Sequence, residues 1–167
     1  ALVRVLFELI EQDRQRYLSS LEASINGARL LEQLPLHEAG RASFSPDGSR
    51  IAYNRIARED RTWKRYFGGM AQDLWLYDFG SRVDRRLTDY RGTDRLPMWI
   101  GDAVYFASDR DGGEGGTDLW VARWDGQGWT GVTNLGPGVN AASDESAPGV
   151  SADGRRLYFS SDREGDR

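Results

Sequence analysis

Three stretches of this chain repeat one pattern at a fixed stride, and that repetition limits the folds open to it. The first reads Phe44-Ser45-Pro46-Asp47-Gly48-Ser49-Arg50-Ile51-Ala52-Tyr53. The second runs from Met98 through Gly101-Asp102 to Val104-Tyr105-Phe106, then into Ser108-Asp109-Arg110-Asp111-Gly112. The third runs from Val150 through Asp153-Gly154 to Leu157-Tyr158-Phe159, then into Ser161-Asp162-Arg163-Glu164-Gly165. Tyr53, Phe106 and Phe159 stand 53 residues apart, and Ile51, Val104 and Leu157 keep the same step. Such a period marks a repeat architecture, in which each unit buries its faces only against its neighbours.

Each unit has a local reading. A Pro-Asp-Gly or Gly-Asp turn reverses the chain, and a strand of alternating apolar residues follows. A polar Ser-Asp-Arg loop then leads to a third strand, at Asp73–Tyr77 and at Asp118–Ala122. A fourth, edge-like strand is expected at Arg86–Thr88 and Val132–Leu135. Four strands per unit of roughly 40–50 residues is the signature of a propeller blade. The fold expected is all-β: a partial β-propeller of three to four four-stranded antiparallel blades. The units expected are a divergent blade over 1–38, a blade over 39–90, another over 91–140, and the start of a further one over 141–167. For the first unit an amphipathic helix across Leu2–Leu21 is the rival reading, while Asn26-Gly27 favours a hairpin.

From Tyr53 to Trp75 is 22 residues, but from Phe106 to Trp120 only 14. The first full blade therefore carries an insertion within 55–70, the kind of loop in which repeat proteins place function. Arg55, Arg58, Arg61, Lys64 and Arg65 outweigh Glu59 and Asp60 there, a local charge of +3. Arg58, Arg61, Trp63, Lys64, Arg65 and Tyr66 are the candidate residues for binding a peptide or a partner surface. Arginine can grip a carboxylate in two places, and aromatic residues with arginine anchor protein contacts. A solvated loop is the competing reading of the same charges. Asp47, Gly48, Asp109, Arg110, Asp153, Gly154, Asp162 and Arg163 are read as structural positions of the repeat. For the aspartates and arginines of the Ser-Asp-Arg loops, turn bonds and bonds between blades are expected.

Residues 1–95 carry 16 basic and 14 acidic groups, and residues 96–167 carry 6 and 12. Neither half has the clustered basic face of a nucleic-acid binder. No run approaches the ~18 consecutive apolar residues of a membrane span. The sequence has no cysteine, so no thiolate chemistry is open to it. Asp109-Arg110-Asp111-Gly112 opens like a calcium loop, but Glu114 and Trp120 stand where a glycine and a glutamate belong. His37 is the only histidine, with no activated serine suggested beside it. No catalytic residue, metal or cofactor is expected.

The motif Ser-Pro-Asp-Gly-x-x-Ile-x-Tyr, with Ser-Asp-Arg-x-Gly and Asp-Leu-Trp, resembles the WD40-like repeats of TolB-type propellers. Trp63-Lys64-Arg65-Tyr66-Phe67-Gly68-Gly69 and Asp73-Leu74-Trp75 resemble the first, six-bladed propeller of tricorn proteases. Leu34–Gly40 and Arg86–Asp89 agree, so that the resemblance spans about residues 3–112. Trp124–Trp129 and Asn134–Asn140 are closer to periplasmic repeats. The tricorn resemblance implies a module of a large serine-peptidase assembly whose propellers filter and channel peptides. No catalytic residue carries over, since the peptidase region has no counterpart in this sequence. Peptides and other subunits or domains are the expected partners, and self-association is expected of open blade edges. The resemblance implies a cytoplasmic setting, with a periplasmic interaction propeller as the alternative. The sequence reads as a piece of a longer protein.

Overall fold

A computed structural model of the chain describes residues 34–36, 39–55, 71–125, 127–151 and 154–164. The chain divides into two compact units, Ala1–Glu38 and Ala39–Arg167. Of the first unit, residues 34–36 are described, and of these Leu34 and Leu36 are buried. The blade and helix readings of 1–33 lie outside the described residues.

The second unit is built of antiparallel strands. β1 (Ala42–Phe44), β2 (Arg50–Asn54), β3 (Leu74–Asp78) and β4 (Val83–Arg86) form one sheet in sequence order. β5 (Asp94–Ile100), β6 (Ala103–Ser108), β7 (Asp118–Arg123) and β8 (Thr133–Asn134) form a second in the same order. β9 (Glu145–Val150) and β10 (Leu157–Ser161) pair as a third. The fourth strand of the first sheet begins earlier than Arg86–Thr88. Val83-Asp84-Arg85-Arg86 carries it, and charges of this kind suit an outer strand that must not recruit another edge.

The repeat unit maps onto the hairpins. Gly48, Gly101 and Gly154, spaced at the common stride, all take positive φ, of 70°, 57° and 69°. Only glycine enters that region without steric cost. Between Ile100 and Ala103 the turn is just Gly101-Asp102, with glycine in its first place as tight hairpins favour. The first and third turns are longer and alike. Ser45 Oγ accepts the Arg50 N–H at 2.9 Å, and Ser151 Oγ accepts the Arg156 N–H at 3.0 Å.

Pairing then sets which faces meet. Tyr53 lies opposite Trp75, and Phe106 opposite Trp120. Such cross-strand aromatic pairs are a main unit of sheet stability. Ala52, Leu74 and Leu76 of the first sheet form one core with Trp99, Val104, Phe106, Trp120 and Ala122 of the second. Successive sheets touch along their leading strands: β1 and β2 lie against β5, and β5, β6 and β7 against β9. Sheets stacked in this way, the first two each a four-strand meander and the third a two-strand hairpin, give the all-β partial propeller.

Polar bonds pin the sheets together where side chains alone would leave backbone groups without partners. Asn54 is fully buried at the end of β2. Its amide donates to the carbonyls of Asp73 (3.1 Å) and Asp94 (2.8 Å), and its Oδ1 accepts the Leu96 N–H at 3.1 Å. Ser43 Oγ accepts the Trp99 N–H at 2.9 Å, a second bond between the first two sheets. Leu96 and Ala147 take positive φ (57° and 50°), each followed by a proline. Each pair forms a bulge, Leu96-Pro97 opposite Phe106 and Ala147-Pro148 opposite Phe159. A bulge leaves a residue outside the ladder, which is where proline fits in a sheet.

Candidate functional surface

A meander of antiparallel strands sends its connections alternately to two ends. The β1–β2, β3–β4, β5–β6 and β7–β8 turns share one end. The β2–β3 and β6–β7 connections and the crossings between sheets share the other. Arg55 and Ala71, the described flanks of the insertion, therefore lie at the end that carries Ser108-Asp109-Arg110.

That second end is held by a buried charge pair repeated in two sheets. Asp94 opens β5 with no exposed surface. Arg110 Nη2 reaches both its carboxylate oxygens at 2.7 Å, and Arg110 Nε donates to Ser108 Oγ at 3.0 Å. The guanidinium lies over the rings of Phe106 (5.4 Å), Trp120 (5.3 Å) and Tyr90 (5.1 Å). In the third sheet Glu145 takes the place of Asp94. It accepts Arg163 Nη2 at 2.9 Å, Ser161 Oγ at 2.7 Å, Ser143 Oγ at 3.1 Å and the Ala141 N–H at 2.9 Å. Burial pushes the Glu145 carboxyl up, but these bonds outweigh it and hold the group below its ordinary value. Arg163 Nε bonds Ser161 Oγ at 2.9 Å, matching Arg110.

The aspartates of the same loops hold backbone. Asp109 Oδ1 accepts the Thr93 N–H at 2.7 Å, and Asp162 Oδ1 accepts the Asp144 N–H at 2.6 Å. Burial raises the Asp109 carboxyl above its ordinary value. These bonds run within one repeat, from the residue just before its first strand to the loop after its second, and not between sheets. The arginines pair with Asp94 and Glu145, which the sequence reading did not single out. The β6–β7 loop is drawn in tightly: a side-chain carbon at Gly113 would lie 1.6 Å from Asp118 Oδ2, which accepts the Glu114 N–H at 2.7 Å. Among the described residues no three metal-ligating side chains converge.

Where the insertion leaves the sheet, Arg55 lies flat on Trp75, its guanidinium carbon 3.2 Å from the ring centre. Arg55 also donates to Asp84 at 2.6 Å, and the Tyr53 hydroxyl donates to the same oxygen at 2.8 Å. Burial and the neighbouring Asp84 raise the Tyr53 phenol well above its ordinary value. Arg55 is thus committed to the sheet. Arg58, Arg61, Trp63, Lys64, Arg65 and Tyr66 lie outside the described residues, as does Asp153.

The opposite end is aromatic. Trp129 meets Trp99 at 5.4 Å and Trp124 at 5.8 Å, both edge to face. Arg50 and Arg85 of the first sheet approach the Trp124 ring at 5.4 and 5.8 Å. Asp47 and Asp78 organise turns here. Ser45 and Ser49 hydroxyls and the Ser49 N–H hold the Asp47 carboxyl down at about 2, against an ordinary 3.8. The Ser81 N–H and hydroxyl, with Arg50, hold Asp78 at about 2. A lowered carboxyl stabilises the fold above its unfolded value and loses that contribution as pH falls through its folded one. Stability is therefore expected to fall as pH drops from 3.8 toward about 2. Asp47→Asn and Asp78→Asn should flatten that fall in urea midpoints measured against pH; unchanged slopes would contradict it.

With the geometry in place, comparison with known proteins identifies the sheets. Residues 4–141 match the tricorn protease N-terminal β-propeller domain. The chain belongs to that family. The tricorn-type assignment is joined by a curated relative, tricorn protease homolog 1 of Streptomyces coelicolor, 43% identical over 60 residues. That match covers 34% of this chain and 5% of the relative. Among solved structures, putative TolB from Agrobacterium tumefaciens superposes with a TM-score of 0.59 at 23% identity, over 81% of this chain and 43% of that one. TolB from Acinetobacter baumannii gives 0.51 at 21% identity, over 81% of this chain and 29% of that one. The tricorn protease gives 0.53 at 18% identity, over 74% of this chain and 15% of that one. At these identities the structural likeness is one of fold. The tricorn-type propeller described here spans only a small part of its relatives' length. No helix among the described residues is long and apolar enough to cross a membrane.

Proposed function

We propose that this chain is a non-catalytic propeller module that scaffolds a tricorn-like peptidase assembly and guides or filters its peptides. The match to the tricorn N-terminal propeller across residues 4–141 carries the reading. The described charges support it from the side of chemistry. Asp94 with Arg110, Glu145 with Arg163, and Asp84 with Arg55 are engaged in holding sheets and loops. The cationic residues proposed for peptides are Arg58, Arg61, Lys64 and Arg65, with Trp63 and Tyr66 as aromatic contacts. In the sequence they come after Arg55, and it is Arg55 that lies at the end of the sheet where the sheet-to-sheet crossings run.

Fluorescence anisotropy with a labelled acidic peptide of about ten residues tests this. Exposed charges act weakly one by one and are screened by salt. Replacing Arg58, Arg61, Lys64 and Arg65 together by alanine is expected to weaken binding about tenfold at low salt, and less at high salt. Equal binding by the variant, or by a neutral peptide, would contradict the site. Mass spectrometry of the same peptide should show it uncut, and cleavage by this chain would contradict the non-catalytic role.

A further inference from the structure

Aspartate is followed by glycine at Asp47-Gly48, Asp111-Gly112, Asp125-Gly126 and Asp153-Gly154. The pair has a chemistry of its own. Glycine has no side chain to shield its amide nitrogen, which can attack the aspartyl Cγ and close a five-membered imide. At three of the four places the structure ties down one or both reacting groups. The Asp47 carboxylate accepts the Ser45 hydroxyl at 2.6 Å and the Ser49 N–H at 3.1 Å. Gly48 gives its own N–H to the Ser45 carbonyl at 2.9 Å, and Gly154 gives its to the Ser151 carbonyl at 2.8 Å. Asp125 Oδ1 accepts the Gln127 and Gly128 N–H groups at 2.9 and 2.8 Å. Asp111 is held least. Its side chain is 86% exposed, and among the described residues its carboxylate meets only the exposed Arg91, at 3.5 Å. Gly112 and Gly113 beside it are exposed as well.

We infer that Asp111 is a site of spontaneous covalent modification, isomerising to isoaspartate through an imide formed with Gly112. The Gly112 nitrogen bonds to Asp111 Cγ, and the amide proton and the carboxyl hydroxyl leave together as water. Water then opens the ring. Addition at Cγ restores aspartate, while addition at the Asp111 main-chain carbonyl leaves the backbone running through Cβ. One water leaves and one returns, so the mass is unchanged and no co-reactant is needed. The product lengthens the β6–β7 loop by one backbone atom, in a place without slack. A side-chain carbon at Gly115 would lie 2.1 Å from the Ser143 carbonyl oxygen and 2.5 Å from that of Ala141. The Thr117 N–H bonds to Asp144 at 2.8 Å, and the Thr117 carbonyl takes the Glu145 N–H at 2.7 Å. Isomerisation therefore loosens the loop's grip on the crossing into the third sheet.

Neither the insertion nor peptide guidance plays a part. The full 167-residue chain is held for weeks at neutral pH and physiological temperature, once folded and once unfolded in urea. Chymotryptic peptides, which keep Asp111 away from a peptide end, are read by electron-transfer fragmentation. In the folded chain isoaspartate should gather at Asp111 at least about fivefold faster than at Asp47, Asp125 or Asp153, roughly the factor one hydrogen bond is worth. In urea the four rates should converge. Deamidation of Asn26 changes the mass and so is told apart. Asp111→Glu should abolish the product at this position and leave the unfolding midpoint unchanged, since the residue is exposed. The aged chain should exchange amide hydrogens faster across 113–117 and 141–145 than the aged variant. Asp47 reacting as fast as Asp111 in the folded chain, or Asp111 leading by the same margin in urea, would overturn the inference. Equal exchange in the aged chain and the aged variant would refute the loosening of the loop.

Discussion

Arg110→Ala is expected to cost about 3–5 kcal/mol of stability, because it strands a carboxylate with no access to water. Asp94 has no exposed surface and takes both its short bonds from one arginine nitrogen. Without that partner the charge stays buried and uncompensated, or the sheet opens to hydrate it. The arginine also spans three aromatic rings, so its loss removes packing along with charge. Arg110→Lys should recover only part of the loss, since an ammonium lacks the planar fork. Replacing both partners, Asp94→Leu with Arg110→Met, should come closer to neutral than Arg110→Ala alone. The third sheet supplies an internal comparison. Arg163 is more exposed and Glu145 keeps Ser161, Ser143 and the Ala141 N–H, so Arg163→Ala should cost clearly less. Urea unfolding followed by tryptophan fluorescence reads all four. Equal small losses at Arg110 and Arg163 would show that the buried pair contributes little.

Phe106→Ala is expected to cost a similar amount, about 3–5 kcal/mol, through lost burial and the cavity it leaves. Phe106 is fully buried, faces Trp120 across the ladder and belongs to the core shared by the first two sheets. The cavity would open where the sheets meet, and neither sheet can collapse into it without losing the Asn54 and Ser43 bonds between them. Tyr158→Ala makes the natural control. It sits one place from the counterpart of Phe106 but is 55% exposed, so its loss should stay within about 0.5 kcal/mol. Comparable losses at the two positions would mean that the sheet faces have been misassigned.

Much of this architecture was legible because propeller strands are short and their turns chemically explicit. The second strand of each unit keeps the stride of 53, and the turn glycines follow it. The first strand does not. Its buried acids, Asp94 and Glu145, stand 51 residues apart, because the third turn is two residues longer than Gly101-Asp102. An alignment anchored on aromatic residues passes over them. Both are followed three places on by proline, in Asp94-Arg95-Leu96-Pro97 and Glu145-Ser146-Ala147-Pro148, and that shared pattern was the available signal. Asn54 and Asn140 were hidden for another reason. A single asparagine reads as a loop or turn residue, yet both are buried and act as backbone substitutes. Asn140 takes the Leu119 N–H at 2.8 Å and returns a bond to the Leu119 carbonyl at 3.0 Å. The β4 strand was misplaced because its charges look like a loop until the partner strand is known. As for the candidate binding residues, spacing located the insertion, while its chemistry rests on composition alone.

A propeller requires consecutive repeats to fold as separate stacked sheets. Cross-strand nuclear Overhauser contacts in the labelled chain test that most directly. Hα or amide contacts should join Tyr53 with Trp75 and Phe106 with Trp120, while β4 and β5 show no ladder between them. A continuous ladder from β4 into β5, or helical contacts three residues apart around Phe106, would contradict it.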